Sequence, residues 1–206
     1  MIGTRQRLLD ATRDCLGTKG LAATTSRDIA RTAEANLAAI TYHFGSKDDL
    51  VAAALLDGLR AWLEPALDVL SQDGDPTTRT ALAIQTLLAT FDRHRSEAPV
   101  YLEALLLAPR LEPLHRGLLD LWRDLRRLLA DQMAGMQSDG TLPRGIDPQP
   151  MAALFIAVAN GLVLQATLDP DGPGLEAMAG QFAALLLTFS GGLSGSQAVN
   201  LPENRR

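Results

Sequence analysis

Between Thr25 and Lys47 the chain gathers side chains suited to contacting a nucleic acid, not to making or breaking bonds. Asn36 and Thr41 can hydrogen-bond to base edges or phosphates, while Ala38 and Ala39 offer only methyl groups, which suit a thymine methyl and keep the surface slim. Arg27 is the candidate for a strong base contact; Thr25, Tyr42, His43 and Lys47 are the types that hold phosphates and set register. Elsewhere the chemistry thins out. The three histidines and the single Cys15 are far apart, and there is no CxxC, HExxH, phosphate-cradling glycine loop or GxSxG. No metal, cofactor or catalytic residue is expected. An all-helical enzyme working through carboxylate pairs stays as an alternative.

These residues need short helices to present them, and the sequence punctuates such helices. A first helix over about Thr4–Thr18 repeats Leu8, Thr12, Cys15 and Leu16 on one side, and Gly20 is expected to end it. Thr24-Thr25-Ser26 then supplies a capping hydroxyl, with Asp28 in the first turn of a second helix that buries Ile29 and Ala30. Asn36 caps a third helix running to Phe44, with Leu37, Ile40 and Phe44 as its inner face. Ser46 caps a fourth that continues to about Leu70. Repeated capping and restarting at this spacing describes a helix-turn-helix. Few side chains on it can discriminate bases, so a single head would bind weakly and two half-sites read by a dimer are expected.

Beyond it, helices are expected over about Thr77–Arg95, Pro99–Ala108 and Leu111–Met136. The last of these has Leu114, Leu118, Trp122, Leu125, Leu129 and Met133 inward. Two strongly apolar helices, Met151–Leu168 and Leu175–Phe189, close the pattern. The predicted fold is all-α with about nine helices. Its parts are a three-helix DNA-binding head (1–47), a helical ligand-binding and dimerisation domain (48–192) and a flexible tail (193–206). Low aromatic content with abundant Ala and Leu agrees with helix over sheet.

The net charge of -5 permits DNA binding without supporting it. Residues 1–50 hold seven Lys/Arg against six Asp/Glu, so any positive face must come from arrangement. A lone cysteine rules out an internal disulfide and fits a reducing compartment. No signal peptide is evident, and Asn160, Gln165 and Thr167 interrupt the most apolar stretch. A cytoplasmic protein with no membrane partner is expected.

Residues 24–50, TTSRDIARTAEANLAAITYHFGSKDDL, closely resemble the DNA-binding signature of the tetracycline-repressor (TetR) family of bacterial regulators. Tyr42-His43-Phe44-Gly45-Ser46-Lys47 and Leu50 carry most of the likeness, and Thr25 and Ile29-Ala30 also fit. Glu34 stands where the family usually has Gly, and Thr41 where a second aromatic is common. The remainder matches in layout, including Asn160-Gly161 and the Gln165…Asp169-Pro170 helix ending.

The resemblance implies a repressor that leaves a palindromic double-stranded operator when a small-molecule effector binds the C-terminal domain. It also implies a homodimer made by the last two helices of each subunit. On that basis Ala153, Ala157, Gly161, Leu164, Leu168, Phe182 and Leu186 are interface candidates. The apolar breadth of these helices independently asks for more cover than a small domain provides. Pocket candidates are Trp62, Phe91, Tyr101, Leu105, His115, Trp122, Phe155 and Asn160. Asn160, an amide within an apolar helix, needs a partner: ligand, backbone or dimer mate. No side chain in Met151–Leu168 is charged, which favours a mostly apolar ligand. The same head could instead serve an activator, or respond to a protein partner.

Overall fold

The structure is a computed structural model that describes residues 3–193, with side chains through residue 185. The described residues form helices and turns with no strand. The first four helices are α1 (Thr4–Ala23), α2 (Ser26–Thr32), α3 (Ala38–Phe44) and α4 (Lys47–Ser71). They are followed by α5 (Pro76–Arg93), α6 (Ala98–Leu107), α7 (Glu112–Ser138), α8 (Pro148–Leu168) and α9 (Leu175–Leu193). The tail expected beyond α9 and the Leu186 side chain lie outside what is described.

Helices α2 and α4 start where the N-cap side chain accepts an otherwise orphaned N–H. The N-cap of α3 is Leu37, not the expected Asn36, which accepts from one residue further out. Thr25 and Asp28 form a reciprocal capping box at α2. The Asn36 Oδ1 accepts the Ala38 N–H at 2.9 Å, and the Ser46 Oγ accepts the Asp49 N–H at 3.0 Å. Helices this short do not persist alone, so they share a core with the neighbouring long helices. Leu8, Leu9, Cys15, Ile29, Ile40 and Leu50 are its central members.

Two expectations for the head are corrected. Gly20 does not end α1: at φ 71° it kinks the helix, which resumes to Ala23. The buried Thr24 hydroxyl fastens the kink by donating to the Gly20 carbonyl at 2.7 Å and the Cys15 carbonyl at 3.2 Å. Leu37 is not an inner residue but 45% exposed. The anchors of α3 are Ile40 and, half-buried, Phe44, which lie in its middle and end. Its first turn therefore overhangs the core and carries Leu37 outward. The Arg5 guanidinium lies 5.2 Å from the centre of the Phe44 ring and braces α1 against α3.

The α2–α3 turn requires Glu34 at φ 49°, a left-handed conformation that a side-chain-bearing residue enters at roughly 1–2 kcal/mol. Glycine would relieve that strain while adding freedom to the unfolded chain, which offsets part of the gain. Glu34→Gly is expected to stabilise the protein by about 0.5–1 kcal/mol, raising the melting temperature by about 1–3 °C. The Glu34 carbonyl that faces Arg7 would be kept. A calorimetric melt that moves down would contradict the strain.

In the body, α4 is the shared spine. It packs on α7 so closely that a Cβ at Gly117 would collide with Leu56. Leu56, Leu59, Ala104, Leu114 and Leu118 join α4, α6 and α7 in one cluster. On α7, Leu121 is buried where Trp122 was expected, and Trp122, Leu125 and Leu129 are half-buried. Helix α8 begins three residues earlier than its apolar run suggests, capped by Asp147. By length and composition alone it could cross a membrane, contrary to expectation, and only 11% of its apolar window is buried within the chain.

Candidate DNA-binding surface and effector cleft

The turn before α3 and much of α3 itself face outward. Asn36, Ala38 and Thr41 are exposed, and Tyr42 is 84% exposed. Ala39 turns half into the head core and has less to offer a groove. His43 is half-buried, edge-on to Tyr42 with ring centres 4.9 Å apart. The Asn36 side-chain oxygen is used by its cap, leaving its amide donors for an outside partner.

Charge near this surface is sorted by Asp28. Its carboxylate meets Lys19 at 2.8 Å and Arg31 at 3.1 Å. The hydrogen bond from Lys19, then those from the Thr25 hydroxyl and N–H, hold its carboxyl far below the usual range. Asp28 thus occupies the cations that flank Arg27. Arg27 itself is exposed, and neither it nor Lys47 forms an ion pair among the described residues. Thr25 gives its hydroxyl proton to Asp28 at 2.6 Å.

The pocket candidates are not brought into one cavity. A cleft of about 470 Å³ lies between α1, α4, α6 and α7, and of the candidates only Trp62 and Tyr101 line it. Phe91 is buried against Ala98 and Ala166 with Trp62 packed alongside. Leu105 joins the α4–α6–α7 cluster. Phe155 meets Phe182 edge-on at 5.7 Å. His115 is an exposed neighbour of Glu112, and Trp122 is half-buried on α7 away from the cleft lining.

Asn160 finds its partner within the chain: its Oδ1 accepts the Tyr101 hydroxyl at 2.6 Å, tying α8 to the cleft wall. Burial pushes the Tyr101 phenol up to about 12 from 10.0. The folded state therefore favours the neutral phenol. The stability this supplies is complete below pH 10 and is lost as pH rises from about 10 to 12. Tyr101→Phe is expected to cost about 1–2 kcal/mol at pH 7, by stranding the Asn160 oxygen. It should also weaken the fall in stability between pH 7 and 11, which urea unfolding at both pH values measures. An undiminished fall would assign it to other groups.

Sequence reasoning missed the α1 side of the cleft. Arg13 bridges Asp10 and Asp57, each at 2.5 Å, and the Glu103 carboxylate accepts the Leu21 N–H at 3.4 Å. Both ties link head to body across long stretches of chain and leave no local pattern. The dimer candidates Ala153, Ala157, Gly161, Leu164 and Leu168 form an exposed stripe along α8, and a Cβ at Gly161 would meet open space. Among the described residues no cluster of His, Cys, Asp or Glu could hold a metal ion.

A capped three-helix head exposing one short helix, mounted on an all-helical body, defines a DNA-binding transcriptional regulator. Residues 8–54 match the bacterial regulatory proteins of the tetR family, and residues 76–190 match the BetI-type transcriptional repressor C-terminal family. The chain belongs to the TetR family; it is a dimerising DNA-binding regulator and not an enzyme.

Solved structures share the fold. A TetR transcription regulator from Haloarcula marismortui is 23% identical with a TM-score of 0.78, covering 92% of this chain and 97% of its own. A protein from Saccharomonospora viridis, described as a transcriptional regulator and solved in complex with choline, is 21% identical with a TM-score of 0.74, covering 89% and 95%. The fatty acid degradation regulator FadR from Bacillus halodurans is 13% identical with a TM-score of 0.75, covering 91% and 96%. No curated protein sequence matches the chain.

Proposed function

We propose that the protein is a cytoplasmic repressor that grips a palindromic operator as a homodimer and leaves it when a small, mostly apolar molecule binds the body. The observation that carries this reading is the outward face of α3, where Tyr42 is 84% exposed on a helix held from behind by Ile40. A large aromatic left uncovered next to Thr41 and Ala38 has a use if a duplex covers it. In this reading residues 1–47 form the head, with Thr25, Arg27, Asn36, Ala38, Ala39, Thr41, Tyr42, His43 and Lys47 at the DNA. Residues 48–192 form the sensing and pairing body. The exposed stripe on α8 supports pairing through α8 and α9, which would also cover the apolar surface that could otherwise suggest a membrane.

Release follows if the effector prefers a body shape that sets the two heads at the wrong spacing for successive grooves. By linkage, operator DNA must then weaken effector binding to the same degree. Selection from a random duplex pool tests the first half: an inverted repeat bound with strong salt dependence is expected, and an unenriched pool would end the reading. A reporter behind the selected repeat tests the sign, with output expected to rise when the gene is deleted. Falling output would make the protein an activator.

A further inference from the structure

The cleft described above has one wall that belongs to the head. Asp14 and Thr18 of α1 face Leu59 and Trp62 of α4 and Tyr101 of α6, with Glu97 at the rim. We propose that the effector occupies this cleft, so that it touches the DNA-binding head directly. We further infer that it is an apolar molecule with a hydrogen-bond-donating end and no negative charge. The inference rests on the reading of the protein as an effector-released DNA binder and assigns the site and ligand class within it.

The floor of the cleft is hydrocarbon and aromatic. The Trp62 ring lies 5.7 Å from Tyr101 and 5.9 Å from His94, and Leu59 and Leu114 fill the side between α4 and α7. The volume suits a small organic molecule. The rim is different. Asp14 and Glu97 present carboxylates, which only accept hydrogen bonds, one Glu97 oxygen already lying 3.0 Å from the His94 Nδ1. The one cation there, Arg13, is engaged by both Asp10 and Asp57. A ligand's polar end that reaches Asp14 or Glu97 must therefore donate, the Ser96 hydroxyl on the same lining being able to donate or accept, and a carboxylate or phosphate would meet like charge.

The position gives the ligand mechanical leverage. Head and body are tied beside the cleft by Arg13–Asp57 and by Glu103 on the Leu21 N–H. The kink at Gly20 lies next to the second tie. An occupant wedged between α1 and α6 separates the helices that Glu103 joins, and the head swings about the kink. Coupling then needs no relay through the body, because the ligand displaces the head by contact.

The test places an occupant covalently in the full-length protein. Thr18→Cys adds a thiol on the cleft wall, while the native Cys15 is buried and stays unlabelled. Duplex selected from a random pool by the unaltered protein serves as target. A bulky bimane adduct at position 18 is expected to weaken DNA binding at least tenfold relative to the small methylthio adduct there. Bimane on Asp73→Cys, in the α4–α5 loop, is expected to make no difference. Equal affinities for the two position-18 adducts would overturn the wedge while leaving the DNA-binding reading intact; a pool that yields no sequence would remove both. For ligand class, the aminoethyl and sulfonatoethyl methanethiosulfonates are compared at position 18 against their rates with 2-mercaptoethanol. A cationic preference of at least fivefold is expected, and no preference would overturn the charge assignment.

Discussion

Leu164→Glu is expected to leave the helices formed and the protein monomeric. Leu164 is 40% exposed on a stripe that nothing among the described residues covers. In a two-fold interface through α8 a residue near the axis meets its own counterpart, so the substitution buries two carboxylates against each other. An uncompensated buried charge costs about 3–5 kcal/mol, and a dimer dissociation constant raised by about 10²–10⁴ follows. Sedimentation velocity would show the monomer, and far-UV circular dichroism would show unchanged helix content. The melting temperature would fall and lose its dependence on protein concentration. Operator affinity should fall at least about 100-fold, since each head then binds alone. A dimer that survives unchanged would take α8 out of the interface.

Arg27→Ala is expected to damage DNA binding more than any other single truncation in the head, with stability within about 0.5 kcal/mol of the starting protein. The side chain is exposed and forms no ion pair among the described residues, because Asp28 is engaged by Lys19 and Arg31. A lost base contact costs about 1–3 kcal/mol per half-site, and a dimer loses it twice. That gives a weakening of about 30-fold or more, with specificity relaxed at one position in each half of the repeat. Arg31→Ala is the paired comparison and should do less, since its guanidinium already belongs to Asp28. If Arg27→Ala instead weakens all sequences equally and flattens the salt dependence, the residue holds a phosphate.

The head was legible from sequence because its decisive interactions are short-range. Thr25 with Asp28, Asn36 with Ala38 and Ser46 with Asp49 each close within two or three residues. Side chains at that spacing compete for the same few N–H groups wherever the chain goes. Leu37 shows where this stops. Its spacing to Ile40 and Phe44 is right for an inner face, but how far a helix overhangs its core depends on the helices behind it. The departure at Glu34 was visible as a residue type, whereas its left-handed backbone became evident only in the folded turn.

The body was legible in outline and not in its sites. Apolar periodicity marks which helices need cover, so the exposed stripe on α8 could be anticipated from its own residues. Which side chains share a hollow could not. Tyr101 and Asn160 are 59 positions apart, Arg13 and Asp57 are 44 apart, and Leu21 and Glu103 are 82 apart. Capping and periodicity are settled within a turn or two of helix, and the chain carries that information locally. The cleft, the kink's tether and the bond from α6 to α8 exist only once long helices stack. Their angles come from side-chain volumes summed over many contacts, a quantity no short stretch of residues contains.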